Sequence, residues 1–313
     1  MKIVFLDAKT SGEDIDLSGF DALGEVVKYG FSTEQEARER SKDADVLILN
    51  KVQVNEQTIG EADHLKLVCV TATGTNNLDK EYLNKRGIAW RNVAGYSTES
   101  VAQHTFAMLF YLLEKLPYYD NYVKSEKYVN DVSFTHFAKA FHELSGMTYG
   151  IIGLGNIGRR VADIAKVFGC RVIYYSTSGR NSQPGYERVS FDELLEQSDI
   201  VSIHAPLDEN TLGLMNKEAF AKMKKSAILL NVGRGPIINE ADLAEALNNK
   251  TIAAAGLDVL SVEPMQEDNP LRGIKDGERL LITPHIAWAG VEARNRLMGI
   301  ILGQIKEFFK AHE

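Results

Sequence analysis

Short apolar runs rich in β-branched residues alternate with amphipathic, charge-bearing stretches along most of this 313-residue chain. Such alternation is typical of βαβ units, in which a helix connects two parallel strands. A chain of this length also exceeds the size that one hydrophobic core usually serves, so two domains are expected. The sequence therefore predicts an α/β protein with mostly parallel sheets.

The apolar runs fall into two series. The first series has four predicted strands, at residues 3–6, 46–49, 67–70 and 88–90, with helices predicted over 33–42 and 78–86. The second has six, which is enough for one doubly wound sheet, at 149–152, 171–175, 200–203, 227–231, 253–258 and 280–283. A long helix is predicted from Glu99 to about Lys115, between the two series.

A final amphipathic helix is predicted over residues 291–310, after the second series of strands. The second sheet already has its own helices, so we expect this helix to return to the first domain. The first domain would then be discontinuous, formed by residues 1–98 and 289–313, and the second would span residues 99–288.

Charge and composition exclude several classes of protein. The formal net charge is −8 and no cluster of Lys and Arg is visible, which argues against nucleic acid as a partner. The apolar run at residues 3–6 ends at Asp7 and is too short for a signal peptide or a membrane span, so a cytoplasmic location is expected. Cys69 and Cys170 lie inside apolar runs and are interpreted as buried thiols. The histidines and cysteines lack the close spacing of metal ligands, so no metal is predicted.

A glycine-rich motif follows the first strand of the second series. Its residues are Gly153-Leu154-Gly155-Asn156-Ile157-Gly158, and a helical stretch follows at residues 159–168. The first glycine permits a tight turn, the second lets the backbone approach a pyrophosphate, and the third lets helix and strand pack closely. The motif in this context predicts a dinucleotide-binding turn.

The residues after the next predicted strand bear on the choice of dinucleotide. An acidic residue that would bind the ribose hydroxyls of NAD is missing there, and Ser176, Thr177, Ser178 and Arg180 follow the strand instead. Three hydroxyls and a guanidinium are suited to a 2′-phosphate, so NADP is favoured over NAD. The alternative is that Ser176 and nearby backbone bind an ordinary ribose while Arg180 lies in solvent.

Three segments each end or follow a strand of the second series, where a doubly wound sheet places its ligands. They are Asn231-Val232-Gly233-Arg234-Gly235, Leu257-Asp258 through Glu263-Pro264, and Thr283-Pro284-His285-Ile286-Ala287-Trp288. In these residues and in their chain order, the sequence resembles the D-isomer-specific 2-hydroxyacid dehydrogenase family over essentially its whole length. Asn92 to His104 and His285 to Ala289 are most similar to the glycerate dehydrogenase (hydroxypyruvate reductase) branch.

The resemblance implies three catalytic residues. Arg234 would bind the substrate carboxylate and polarise the carbonyl, His285 would donate a proton, and Glu263 would orient His285. The chemistry asks for the same residue types. A guanidinium fork matches a carboxylate in a bidentate way, and a hydride that reaches a 2-oxo carbon leaves an alkoxide that needs a proton from a group such as histidine.

The resemblance also implies two Rossmann-like domains, with the cofactor in the cleft between them. Backbone at Thr73 and Gly74 would bind the substrate carboxylate, although a plain β-to-α turn is the alternative. Trp288 would close the substrate pocket, with packing beside a domain hinge as the alternative. His104 lies in an apolar helical stretch and is interpreted as an interhelical histidine. Besides the glycine motif and the residues after its next strand, the cofactor would contact His204, Ala205, Pro206, Val232, Gly233, Arg234, Asp258, His285 and Ala287.

A homodimer is implied as well, formed through the helix that begins near Glu99. Its apolar side chains Phe106, Leu109, Phe110 and Leu113 are compatible with that interface.

The predicted activity is hydride transfer between NAD(P)H and a small 2-oxo or 2-hydroxy acid of D configuration. Hydroxypyruvate with D-glycerate, or glyoxylate with glycolate, are the expected pairs. Three alternatives stay open: a D-lactate-type dehydrogenase, a relative that oxidises a one-carbon or inorganic anion, and a nucleotide-sensing regulatory protein on the same fold.

Overall fold

The computed structural model describes residues 1–180 and 182–311. The chain forms two compact units, one made of Met1–Ser97 together with the residues from Ala289 onwards, the other of Thr98–Trp288. Both contain a parallel sheet with helical connections, so the predicted α/β fold is confirmed. Among the described residues, no helix combines the length and the apolar content that crossing a membrane would require.

The first unit contains a five-stranded parallel sheet in the order β2-β1-β3-β4-β5. Every residue of β3 and β4 is buried, as expected for central strands with both faces covered. The strand β2 is absent from the predicted set, because its sequence Glu-Val-Val-Lys has charged ends and lies at the sheet edge. The strands are β1 (Lys2–Phe5), β2 (Glu25–Lys28), β3 (Val46–Leu49), β4 (Leu67–Val70) and β5 (Ala89–Arg91).

Three helices connect these strands, and each begins at a capping side chain. They are α1 (Glu34–Ser41), α2 (Glu56–Ile59) and α3 (Lys80–Arg86), capped by Thr33, Asn55 and Asp79. The helix α3 ends at Gly87, whose φ of 67° is left-handed, which confirms the predicted helix end.

The second unit contains a seven-stranded parallel sheet in the order β12-β11-β10-β9-β6-β7-β8. The strand order reverses between β6 and β9, and this switch point is where open α/β sheets bind ligands. Six of the strands were predicted, and the edge strand β8 was not. The strands are β6 (Thr148–Ile152), β7 (Arg171–Tyr175), β8 (Glu187–Arg188), β9 (Ile200–Ile203), β10 (Ile228–Asn231), β11 (Ala254–Leu257) and β12 (Leu280–Ile282).

The long helix that the sequence predicts from Glu99 to about Lys115 is confirmed as α4 (Thr98–Leu113), and a further helix, α5 (Leu116–Lys124), follows it. Lys115 adopts a left-handed φ of 54°, which separates the two helices. Pro117 lies in the first turn of α5, where a missing amide hydrogen costs nothing. Four further helices follow: α6 (Asn156–Val167), α7 (Phe191–Gln197), α8 (Lys217–Lys222) and α9 (Glu240–Asn248).

Both faces of the second sheet are covered by apolar side chains. Buried residues of α7, α8 and α9 pack on one face, and those of α4 and α6 pack on the other. Both cysteines are buried thiols, as predicted. Burial raises the pKa of Cys69 to about 12 and that of Cys170 to about 11, so neither is a reactive thiolate near neutral pH.

The last helix, α10 (Val291–Lys310), belongs to the first unit. Its buried side chains are Ala293, Leu297, Met298, Ile301 and Ile305. The guanidinium of Arg294 forms two hydrogen bonds with the Asp14 carboxylate, at 2.5 and 2.8 Å. These contacts join the two ends of the chain in one unit.

Candidate active site

The turn between β6 and α6 requires two of its three glycines for steric reasons. Gly153 has a φ of 91°, and a Cβ there would lie 2.8 Å from the Ala205 backbone. A Cβ on Gly158 would lie 2.3 Å from the Gly153 carbonyl oxygen. Around Gly155, in contrast, no atom lies within 4 Å of a Cβ position, so open space adjoins the backbone. This turn presents bare backbone to that space.

The amides at the start of α6 have no side-chain cap. The N-cap residue is Gly155, whereas α7, α8 and α9 in the same unit begin at the capping residues Ser190, Asn216 and Asn239. Uncapped amides and the positive end of the helix dipole favour an anion. The turn and the helix start, which include Asn156 and Ile157, therefore fit the pyrophosphate of a dinucleotide.

No carboxylate lies among residues 176–180, which directly follow β7. Ser176 is 4% exposed and its Oγ has no hydrogen-bond partner, while Ser178 and Arg180 are exposed. The amide of Gly179 donates to the Ser176 carbonyl and closes a turn. The residues that directly follow β7 therefore offer hydroxyl groups and a guanidinium, and no carboxylate.

His204 and Ala205 line the turn from the side of β9. The His204 amide donates to the Ile152 carbonyl, and its Nε2 lies 2.9 Å from Ser202 Oγ. Its Nδ1 is buried without a partner, and burial lowers the pKa of this imidazole to about 3. The His204 ring is therefore neutral at neutral pH. Pro206, the second residue after it, is exposed.

Asn231 shapes the backbone that carries Arg234. Its buried side chain accepts a hydrogen bond from the Gly233 amide and donates one to the Arg234 carbonyl, both at 3.0 Å. The Arg234 guanidinium donates to the Gly233 carbonyl at 2.8 Å, its one hydrogen bond among the described residues. Its remaining N–H groups are available to a ligand at the carboxyl end of β10.

Glu263 and His285 form a pair at the carboxyl ends of β11 and β12. The Oε2 atom of Glu263 lies 2.7 Å from Nδ1 of His285, and Oε1 accepts a hydrogen bond from the Leu260 amide at 3.0 Å. A carboxylate only accepts, so Nδ1 carries a hydrogen and Nε2 is left for other chemistry. The two side chains are about one third exposed, so a ligand can reach them.

Asp258 holds the loop that carries His285. Its carboxylate is 1% exposed and accepts from the amides of Ile286 (2.9 Å) and Ala287 (2.8 Å) and from the Thr283 hydroxyl (2.6 Å). Its backbone carbonyl accepts from the His285 amide at 2.8 Å. The predicted cofactor contact of Asp258 stays a prediction, and this geometry favours a positioning role for the side chain.

His104 contacts a strand end rather than another helix. Its Nε2 lies 3.0 Å from Thr283 Oγ1, so the interpretation of an interhelical histidine is wrong. The sequence offered no signal for this contact, because the two residues are 179 positions apart.

Two predicted substrate residues lie in the first unit. Thr73 is held by hydrogen bonds with Val93 and Asn92, and Gly74 follows it in the turn after β4. Trp288 is half-buried at the end of the second unit. The substrate contacts of these three residues stay predictions.

Residues 106–287 match the family model described as D-isomer specific 2-hydroxyacid dehydrogenase, NAD binding domain. The chain belongs to this family. The resemblance found in the sequence is therefore confirmed, and the matched region contains Arg234, Glu263 and His285 together with the glycine turn. A nicotinamide cofactor fits both the family and the uncapped turn.

Two relatives and one solved structure that resemble this dehydrogenase align with nearly all of it. It is 38% identical to a hydroxypyruvate reductase of Blautia hydrogenotrophica over 99% of this chain and 97% of that protein. It is 32% identical to a glycerate dehydrogenase of Methylorubrum extorquens, over 98% and 96%. The D-lactate dehydrogenase of Aquifex aeolicus, solved with NAD and lactic acid, superimposes with a TM-score of 0.84 at 27% identity, over 99% and 96%.

Proposed function

We infer that this dehydrogenase reduces hydroxypyruvate to D-glycerate, and glyoxylate to glycolate, with a reduced nicotinamide dinucleotide. The observation that carries this proposal is the Glu263–His285 pair beside an available Arg234 guanidinium, at the carboxyl ends of three adjacent strands. The resemblance to a hydroxypyruvate reductase and a glycerate dehydrogenase over almost the whole chain supports the choice of substrate.

Arg234 is proposed to bind the substrate carboxylate. The Asn231 side chain fixes its backbone, and most of its guanidinium N–H groups have no protein partner among the described residues. Two parallel N–H donors match the two oxygens of a carboxylate, and this orients the adjacent carbonyl. The positive charge also stabilises the negative charge that develops on the carbonyl oxygen.

His285 is proposed to deliver the proton. When bound, the dihydronicotinamide supplies a hydride to the carbonyl carbon of the 2-oxo acid. The carbonyl oxygen takes a proton from Nε2 of His285, because Nδ1 is engaged by Glu263. The Glu263 carboxylate stabilises the positive charge of the imidazolium before transfer. In reverse, the same imidazole accepts the hydroxyl proton of the D-2-hydroxy acid.

The proposed cofactor site combines backbone and side chains of the second unit. Gly153, Gly155, Asn156, Ile157 and Gly158 would hold the pyrophosphate. Ser176, Thr177 and Arg180 would bind the adenosine ribose, and the absence of a carboxylate after β7 in the described residues supports NADP over NAD. The other proposed contacts are His204, Ala205, Pro206, Val232, Gly233, Arg234, Asp258, His285 and Ala287.

A homodimer is proposed on a different surface from the one that the sequence indicated. Phe106, Leu109 and Leu113 are at most 7% exposed and belong to the core of their own unit, so they are unavailable to a second copy. Exposed apolar side chains cluster instead in residues 111–141, here called the 111–141 patch. They are Tyr111, Leu116, Val123, Tyr128, Val129, Val132, Phe134, Phe137 and Phe141. Exposed apolar side chains concentrated in one segment support an interaction surface there.

A cytoplasmic location stays a prediction from the sequence.

The test is the absorbance of reduced nicotinamide with hydroxypyruvate, glyoxylate and pyruvate, each with NADPH and NADH, using His285→Ala as the blank. We expect turnover with hydroxypyruvate and glyoxylate that His285→Ala abolishes. A preference for pyruvate would indicate a D-lactate-type enzyme, and cofactor binding without turnover would indicate a regulatory protein.

The cofactor preference needs its own variant. Arg180→Gln should raise the KM for NADPH and leave the KM for NADH unchanged, because only NADP carries the 2′-phosphate. Equal effects on both KM values would contradict a role for Arg180 in selecting NADP.

A further inference from the structure

The helix α4 contacts the loop that carries His285 at two points. His104 Nε2 lies 3.0 Å from Thr283 Oγ1 at the start of the loop. The hydroxyl of Ser100, one turn earlier on α4, donates to the Ala287 carbonyl at 2.6 Å, near its end. The helix α4 therefore contacts the loop both before and after His285, although neither contact involves the imidazole itself.

The hydrogen bonds from His104 have a defined direction. Thr283 has one hydroxyl hydrogen, and its Oγ1 donates it to Asp258 Oδ1 at 2.6 Å. Since that hydrogen is used, the hydroxyl oxygen accepts from His104, and Nε2 of His104 must carry a hydrogen. The result is one directed chain from His104 through Thr283 to the Asp258 carboxylate. Hydrogen bonds in such a chain polarise and strengthen one another.

The Asp258 carboxylate is the group on which this chain converges. It is 1% exposed, and it accepts from the amides of Ile286 and Ala287, which follow His285. A buried carboxylate is costly unless donors or a positive charge compensate it. Nε2 of His104 lies 3.5 Å from Asp258 Oδ1, so its N–H group adds to the donors around this carboxylate.

The backbone at His285 explains why the loop has to be held. His285 has a φ of 56°, in the left-handed region that non-glycine residues rarely adopt. Such a conformation persists only where surrounding contacts determine it. The amides of His285, Ile286 and Ala287 all donate to Asp258, so this one residue fixes the strained turn.

We propose that His104 is a positioning residue that acts through Thr283 and Asp258 to hold His285 in its left-handed conformation. The effect on turnover rests on the proposed function, in which His285 delivers the proton. The effect on the loop does not, because it is a property of the protein without substrate.

The experiment measures hydrogen exchange at the Ile286 and Ala287 amides together with steady-state turnover of hydroxypyruvate. Four variants are compared with the wild type: His104→Leu, Thr283→Val, their combination, and His104→Gln, which keeps an N–H donor near the position of Nε2. Thermal unfolding and exchange in β10 report on global folding. If His104→Leu fails to fold, amide exchange and turnover are compared between Thr283→Val, which breaks the hydrogen-bond chain, and His104→Gln, which keeps it.

We expect His104→Leu and Thr283→Val each to speed exchange at both amides by about tenfold or more. Each should lower kcat by about tenfold with little change in KM, and exchange in β10 should stay unchanged. The double variant should be no worse than either single variant, and His104→Gln should stay near the wild type.

Three results would overturn the proposal: unchanged exchange at both amides in His104→Leu and Thr283→Val, additive losses in the double variant, or a His104→Gln variant as impaired as His104→Leu. Failure of the proposed function has a different signature. The wild type would then turn over none of the acids, while the exchange data would still report whether His104 holds the loop.

Discussion

Nδ1 of His285 lies 2.7 Å from Oε2 of Glu263, and the other oxygen of that carboxylate is fixed by the Leu260 amide. The pair therefore has one orientation, in which the opposite ring nitrogen, Nε2, is left for the proposed proton transfer. An imidazole held only by its backbone would rotate about its side-chain bonds and lose this alignment.

Glu263→Gln should lower kcat by about 10- to 100-fold, because a hydrogen bond to a charged group contributes about 1.5–3 kcal/mol. The glutamine amide has one acceptor oxygen, so it can accept from Nδ1 of His285 or from the Leu260 amide but not from both, and the negative charge beside the imidazole is lost. Steady-state kinetics with hydroxypyruvate measure the effect. Glu240→Gln is the matched control, because Glu240 accepts from the Ser261 amide in the same region and has no hydrogen bond to His285. Equal losses in both variants would contradict a specific role for Glu263.

Arg234→Lys should reduce kcat/KM for hydroxypyruvate by at least about tenfold, because an ammonium cannot replace a bidentate guanidinium fork. The dissociation constant for the reduced cofactor, measured by fluorescence, should change much less. If the lysine variant kept full kcat/KM, Arg234 would have no part in carboxylate binding.

Substitutions at two glycines of the turn, Gly158 and Gly155, should separate folding from cofactor binding. Gly158→Ala places a methyl group 2.3 Å from the Gly153 carbonyl oxygen, and such overpacking costs about 1–3 kcal/mol of unfolding free energy. Gly155→Ala meets no protein atom within 4 Å and should cost under about 1 kcal/mol. Its methyl group would instead enter the space proposed for the pyrophosphate and weaken cofactor binding by about tenfold or more.

Urea unfolding and cofactor titration of the same two variants give both quantities. A Gly155→Ala variant that binds NADPH and NADH as tightly as the wild type would show that the pyrophosphate lies elsewhere.

The buried His204 should make stability depend on pH. Its folded-state pKa is about 3, far below the ordinary value of 6.5, because burial disfavours the charged ring. Between these values the unfolded chain binds a proton that the folded protein does not. The stability that His204 contributes is thus fully present above pH 6.5 and is lost as the pH falls toward 3.

From pH 6 to pH 4, the unfolding free energy of the wild type should fall more steeply than that of His204→Gln, by up to about 1.4 kcal/mol per pH unit. Urea titrations at each pH measure the difference in unfolding free energy between the two proteins. The contribution of the carboxylates is the same in both proteins and cancels in this difference. Parallel pH profiles would show that His204 titrates normally in the folded protein.

The 111–141 patch should control association. Replacing Phe134 and Phe137, which are 89% and 86% exposed, by aspartate should convert a dimer to a monomer in sedimentation equilibrium without changing thermal stability of the monomer. Phe31→Asp, at an equally apolar but isolated position in the first unit, serves as the control. A wild-type protein that is monomeric at micromolar concentration would rule out the proposed dimer.

The sequence predicted the strands whose side chains are buried on both faces, such as β3, β4, β9 and β10. The two missed strands, β2 and β8, lie at sheet edges and contain exposed charged residues. Edge strands are short and polar, which limits unwanted pairing but also removes the apolar run that reveals a strand. The end of α4 near Lys115 was predicted, whereas the left-handed conformation of this residue was not, because no glycine marks it.

The site was predictable only in part, for a related reason. Glu263 and His285 were found because family motifs and strand ends mark them, and the structure places their side chains in contact. The contacts that hold them were not found. Two examples are the contact between His104 and Thr283 and the contact between Asp258 and Ile286. Each joins residues from separate elements, and no local sequence pattern indicates such a pair.

The return of α10 to the first unit has a consequence for synthesis on the ribosome. Residues 98–288 are one continuous segment and can fold as soon as they emerge, while the first unit lacks its 20-residue helix until residues 291–310 have also been made. The apolar surface that Leu297, Ile301 and Ile305 later cover therefore stays exposed in the nascent chain. The first unit is therefore expected to reach its final packing after the second unit has folded.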